Sequence, residues 1–135
     1  MQKLTTFLMF VGDKCGRAEE AIRFYTSLFP DSRVDDIERW ALGEPGGREG
    51  LVKRASFHLA GQTFMASENT IEHSFTFTPA ISVFVTCESE AEQDRLYDRL
   101  LEGGAVLMEM ADYGFSKRFA WVSDRYSVSW QLNLD

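Results

Sequence analysis

A-E-E-A-I-R-F-Y-T-S-L-F-P-D-S (residues 18–32) decides the fold. Ala18, Ala21, Ile22, Tyr25, Leu28 and Phe29 recur at helical spacing, while Glu19, Glu20 and Arg23 fall elsewhere on the wheel. This predicts an amphipathic helix over Arg17–Phe29, which Pro30 cannot continue. Upstream, Leu4–Val11 is an apolar, β-prone run that reads as a strand. Downstream come a second strand over Val34–Leu42 and a loop, G-E-P-G-G-R-E-G (43–50). Val52–Leu59 and Gln62–Ser67 then read as a hairpin turning at Ala60-Gly61.

The same order repeats beyond a polar linker, Glu68–Thr78. Pro79 leads into a strand over Ala80–Thr86, and Ser89 with Glu92 forms the capping box of a second helix. Leu96, Tyr97, Leu100 and Leu101 are its expected buried face, and Gly103-Gly104 its end. A strand over Val106–Met110, a loop over Asp112–Ser116 and a hairpin of Arg118–Val122 with Ser127–Leu134 complete the chain. A-S-F-H-L-A-G-Q-T-F-M-A (55–66) and K-R-F-A-W-V-S-D-R-Y-S-V-S-W-Q-L (117–132) correspond as strand, turn, strand. The reading is α+β: one domain over 1–135, with βαβββ modules at 1–67 and 79–135.

At 44% hydrophobic and 13% aromatic, 135 residues can bury a core without disulfides or structural metal. The formal charge of −7 argues against nucleic acid and anionic membranes, which need a basic surface. E-S-E-A-E-Q-D (88–94) reads as a solvated helix face. The apolar run Phe7–Val11 is too short for a signal peptide or a membrane span. Cys15 and Cys87 form no C-x-x-C pair, so reduced thiols and a cytoplasmic location are expected.

Four segments, in collinear order, resemble the PhnB-like branch of the vicinal-oxygen-chelate superfamily. Residues 18–32 resemble its first helix, and F-H-L-A-G-Q-T-F-M-A-S-E (57–68) its first hairpin. A-I-S-V-F-V (80–85) and W-V-S-D-R-Y-S-V-S-W-Q-L (121–132) resemble its next strand and final hairpin. The resemblance implies the glyoxalase/bleomycin-resistance fold: two βαβββ modules forming a curved mixed sheet around a cavity, helices outside, in a homodimer. It leaves open whether modules pair within a chain or across the dimer. Metal-dependent relatives take a His or Glu from the first and last strands of each module, and the ion polarises vicinal oxygens of the substrate. In this chain Gln131 stands at the last such position and Met65 at its counterpart in the first module. Ser82 holds the third, and Thr6 or Phe7 the fourth, depending on a one-residue alignment choice. None is His, Asp, Glu or Cys, so neither a metal nor any other cofactor is expected.

Strand alternation sorts the remaining candidates. A two-residue turn pairs Leu59 with Gln62, His58 with Thr63, Phe57 with Phe64 and Ser56 with Met65. If Phe57 and Phe64 meet the helix, His58 points into the cavity as a candidate general base or ligand-binding group. The same parity sends Ser129, Gln131 and Asn133 inward and Trp130 and Leu132 into the helix-packed core. The expected pocket lining is Phe7, Met9, His58, Met65, Ser82, Phe84, Trp121 and Gln131, suited to a small, partly apolar ligand. His73 lies in the linker and is expected to be solvated. Cys87 precedes the helix cap and is expected to be a buried, inert thiol, and Cys15 an incidental one.

Three functions follow from this set. The first is a metal-free binding protein of the bleomycin-resistance type. The second is a glyoxalase-superfamily enzyme (lyase, dioxygenase or transferase) using His58 and Gln131 or a metal bound elsewhere. The third is an interaction module whose cavity is filled. Relatives carry a methyltransferase description referring to demethylubiquinone. This chain has no G-x-G-x-G turn of the kind that commonly holds S-adenosylmethionine, and no G-x-S-x-G, P-loop or H-E-x-x-H motif.

Overall fold

The computed structural model describes residues 2–135. The elements are β1 (Thr6–Phe10), α1 (Ala18–Leu28), β2 (Arg33–Arg39), β3 (Val52–Leu59) and β4 (Gln62–Glu68), followed by β5 (Val83–Thr86), α2 (Glu90–Leu101), β6 (Ala105–Ala111), β7 (Arg118–Ser123) and β8 (Ser129–Leu134). The βαβββ order occurs twice, in two compact units, one ending at Thr76 and the other beginning at Phe77. Each holds a four-stranded mixed sheet, ordered β1-β4-β3-β2 and β5-β8-β7-β6. The α+β reading of two βαβββ modules therefore holds, with a mixed sheet in each module. In each, the strand before the helix runs parallel to the last strand, as a helical crossover requires, and the other pairs are antiparallel.

In the first unit α1 packs on β2, β3 and β4. Its buried stripe is Ala18, Ala21, Ile22, Tyr25 and Leu28, and the sheet contributes Val52, Ala55, Phe57, Leu59 and Ala66. Phe29, read as part of that stripe, is half-buried and follows the helix. Burial of each large apolar side chain contributes about 1.5–3 kcal/mol, which holds a helix of three turns that alone would be marginal. The β3–β4 hairpin has the expected register, from Leu59 with Gln62 to Ser56 with Met65. Ala60 (φ +50°) and Gly61 (φ +80°) both take left-handed backbone, the form a two-residue hairpin turn needs.

The two helix starts are built differently. Ser89 Oγ accepts a hydrogen bond from Glu92 N (3.1 Å), as the capping box predicts. The Glu92 carboxylate reaches one residue further back than expected, accepting from Glu88 N (2.7 Å). Arg17, before α1, supplies no side-chain cap. That role falls to Glu68, which the linear reading placed in the linker but which ends β4, buried. Its Oε2 accepts from Gly16 N (2.7 Å) and Ala18 N (3.3 Å), and its Oε1 from Val52 N (2.8 Å).

In the second unit α2 packs on β7 and β8 with Gln93, Leu96 and Leu100 buried, while Tyr97 and Leu101 are only half-buried. Gln93 was not expected inside. Its amide donates to Arg118 O (2.9 Å) and Leu132 O (3.1 Å), and its oxygen accepts from Arg118 Nη1 (3.1 Å), so the helix is pinned to both strands. Trp130 and Leu132 lie in this core, as alternation predicts. Among the described residues no helix is long and apolar enough to cross a membrane.

Candidate functional site

Each sheet has one face on its helix and one face turned away from it, and the expected site residues fall on the second. In the first unit, cross-strand pairing aligns Phe7 with Met65, Met65 with Ser56 and Ser56 with Asp36 in one row. The neighbouring row is Arg33, His58 and Thr63, and on the other side Glu38 pairs with Arg54. Thr6 pairs with Phe64 and so has the parity of the α1 side, which leaves Phe7 on the open face. An open groove of about 350 Å³ is lined by Asp36, Glu38, Arg54, Ala55, Ser56 and Met65. Of the expected lining only Met65 touches this groove. Phe7, 51% exposed, and Met9 share its face but not its walls.

His58 is held between two partners. Its Nδ1 is hydrogen-bonded to Asp35 Oδ2, and its Nε2 lies 3.2 Å from Thr63 Oγ1. The other carboxylate oxygen of Asp35 accepts from Arg33 Nε (2.8 Å). Partial desolvation works to raise the Asp35 pKa, but the hydrogen bonds and charges of His58 and Arg33 outweigh it and hold the carboxyl below its usual range. His73 is tied down rather than simply solvated. Its Nε2 lies 3.0 Å from Asn69 Oδ1, its ring 4.8 Å from that of Phe75, and Asn69 Nδ2 reaches Met9 Sδ at 3.5 Å.

In the second unit Phe84, Gln131, Trp121 and Met108 form a row across β5, β8, β7 and β6. Trp121 Nε1 donates to Ser129 Oγ (2.7 Å), Ser129 Oγ lies 2.7 Å from Ser82 Oγ, and Gln131 Nε2 donates to Ser82 Oγ (3.3 Å). Three expected residues, Ser82, Trp121 and Gln131, therefore meet in one network, beside Phe84, which is 56% exposed. Ser129 completes it. Alternation had put Ser129 on the correct face, but a small hydroxyl mid-strand carried no further signal. One row along, Phe119 (paired with Asn133) meets Phe115 at 5.0 Å and Tyr113 at 6.1 Å. In the sequence 112–116 shows only as a loop, since nothing local ties a loop ring to a strand.

The positions that the family resemblance assigns to metal ligands carry poor donors in each unit. Ser82 stands two residues before Phe84, the partner of Gln131. The equivalent place before Phe7, the partner of Met65, is Thr5, which linear alignment passed over. Thr5, Met65, Ser82 and Gln131 offer two hydroxyls, a thioether and an amide, with no anionic or imidazole donor. Among the described residues no three His, Cys, Asp or Glu side chains cluster closely enough to hold a metal ion.

Cys87 is buried, and its thiol is pushed up to about 11 by desolvation and by the charge of Glu92. Cys15 is also raised, by desolvation and Glu68, but is half-buried. At about pH 8, where an ordinary thiol is partly ionised, iodoacetamide is expected to label Cys15 first and Cys87 only after unfolding in urea, read by peptide mass spectrometry. Between the ordinary thiol value and about 11 the unfolded chain gives up the Cys87 proton before the folded one. Urea midpoints should therefore fall as pH rises through that window. Labelling of Cys87 in the folded protein at the rate of a free thiol would contradict the assignment.

Residues 2–133 match the family model described as 3-demethylubiquinone-9 3-methyltransferase. The chain is 51% identical to the PhnB protein of Bacillus cereus over 99% of this chain and 100% of that one, with a TM-score of 0.91. Protein PA1353 of Pseudomonas aeruginosa shares the fold at 23% identity over 100% and 98% of the chains, TM-score 0.83. A glyoxylase/bleomycin resistance protein/dioxygenase domain from Frankia does so at 16% identity over 99% and 97%, TM-score 0.64. No curated protein matches the chain.

Proposed function

The chain belongs to the PhnB-like family of the vicinal-oxygen-chelate superfamily, and on that premise we propose that it binds a small molecule without metal and works as a homodimer. The observation that carries this reading is the neutral network of Ser82, Ser129, Trp121 and Gln131, in which Ser82 and Gln131 hold positions that the family resemblance assigns to metal ligands. The Ser82 hydroxyl and the Gln131 amide, both half-buried, can donate to or accept from an uncharged polar ligand. Buried Ser129 and the Trp121 indole N–H hold that hydroxyl in place, and the neighbouring Phe84 offers a flat apolar surface. Exposed Phe7 and Phe84 also favour a partner or ligand that removes them from water. The acidic charge and the absence of a membrane-crossing helix among the described residues accord with a cytoplasmic location.

Methyl transfer is not part of this proposal. In many cofactor sites a helix N-terminus receives the anionic group. In this chain the N-terminus of α1 is already filled by Glu68, and that of α2 by Ser89 and Glu92.

The test pairs two measurements on untagged protein. After dialysis against Ni, Zn, Mn and Fe in turn, elemental mass spectrometry is expected to find less than one ion per chain. A fragment library of small lactams, phenols and carboxylic acids, screened by NMR, should contain compounds that move the Trp121 indole N–H signal. Ser129→Ala should weaken their binding about tenfold, the equivalent of one hydrogen bond of about 1.4 kcal/mol. Stoichiometric metal would revive a chelate enzyme. A library with no effect on Trp121 would point instead to a filled face that serves as an interaction module.

A further inference from the structure

We propose that Asp35, His58 and Thr63 form a nucleophilic site in which the Thr63 hydroxyl accepts an acyl group from a small activated carboxylic ester. The side chains come from three adjacent strands. Thr63 on β4 lies directly opposite His58 on β3, and His58 lies opposite Arg33 on β2. An imidazole with Nδ1 on a carboxylate and Nε2 at 3.2 Å from a hydroxyl is the arrangement that activates a weak oxygen nucleophile.

A second, independent feature points the same way. The β2–β3 register slips between Val34 and Asp36, where β2 carries one extra residue. Regular alternation would send only one of Asp35 and Asp36 to the face away from α1. With the extra residue, Asp35 reaches His58 while Asp36 lines the groove. Arg33 takes the other Asp35 oxygen and fixes the carboxylate's orientation. The groove opens one row further along the same face, at Ser56 and Met65, and gives the acyl chain a place to lie.

In the step itself, Thr63 Oγ1 attacks the ester carbonyl carbon as its proton passes to His58 Nε2. The tetrahedral species collapses, the carbon–oxygen bond to the leaving alcohol breaks, and that alcohol takes the proton from His58. Water then attacks the acyl carbon as the same nitrogen takes its proton; the bond to Thr63 Oγ1 breaks, that oxygen regains the proton from His58, and the acid leaves. Asp35 is a positioning residue that holds the tautomer and offsets the imidazolium charge.

The experiment incubates the full chain with 4-nitrophenyl acetate, follows nitrophenolate release and maps acetyl groups by peptide mass spectrometry. One acetyl on Thr63 is expected, absent in Thr63→Val and retained in Thr63→Ser. His58→Gln should slow acetylation of Thr63 about 100-fold, the usual worth of a general base, and Asp35→Asn should slow it less. Circular dichroism confirms that each variant folds. Acetyl groups confined to lysines or the N-terminus, or an unchanged rate in His58→Gln, would overturn the proposal. Ligand binding at the Ser82–Gln131 network is read separately and does not depend on this outcome.

Discussion

Glu68→Ala is expected to destabilise the protein by about 3 kcal/mol or more, because it strands buried hydrogen-bond donors and removes a charged acceptor. Gly16, Ala18 and Val52 all direct backbone N–H groups at this one carboxylate. Ala18 is the first residue of α1, where amides have no intrahelical partner, Gly16 lies just before its N-cap, and Arg17 offers no side-chain cap. The third opens β3, so one side chain holds helix and sheet together. Urea denaturation followed by circular dichroism should show the loss, with Tm lower by about 10 °C. Glu68→Gln keeps one accepting oxygen but turns an N–H₂ group toward backbone donors, and should recover less than half of it. A change within about 0.5 kcal/mol, the usual surface range, would mean that water takes over the carboxylate's role.

The second large effect is expected at Asp124, buried in the turn between β7 and β8. Its Oδ1 accepts from Tyr126 N (2.8 Å) and Val128 N (3.0 Å), and its Oδ2 from Trp130 Nε1 (2.9 Å). Asp124→Ala leaves a buried indole N–H and two turn amides without this acceptor, a loss of about 3 kcal/mol. Asp124→Asn should fall between, since its single oxygen can serve the turn or the indole but not both. The consequence extends to the candidate site. Ser129 and Gln131 flank Trp130 on β8 and face the other way, so loosening Trp130 should broaden the Trp121 indole signal that reports on Ser129. A destabilised variant with an unchanged Trp121 signal would show that the network is held by β5 and β7 without help from the Trp130 side.

Much of the fold was legible because its causes are local. The 3.6-residue spacing of Ala18 to Leu28 and the Ser89–Glu92 box act within one or two turns of chain. The Ala60-Gly61 turn sets the β3–β4 register by itself, and that register put His58 opposite Thr63 and Met65 opposite Ser56 before any tertiary information. Alternation likewise separated Gln131 from Trp130 correctly. Strand ends were less secure. β2 stops at Arg39 because Trp40 exchanges its backbone bonds with Leu51 and Gly50 around the loop, a pairing that composition does not announce. β5 begins only at Val83, where its pairing with Trp130 starts.

Where a feature depends on residues far apart in the chain, only the tertiary structure decided it. Glu68 looks like linker because its three partners lie 16 to 52 residues away. Asp35 reaches His58 because an extra residue shifts β2 against β3, and a bulge is a property of the pair of strands. Ser82 and Ser129 are 47 residues apart and meet only once β5 lies beside β8. The amino-acid sequence by itself determined the elements, their order and the register of the Ala60-Gly61 turn, all of which rest on interactions within a few residues. Tertiary structure decided which polar groups are buried and whom they bond, because burial and partnership depend on neighbours that the chain brings together only when it folds.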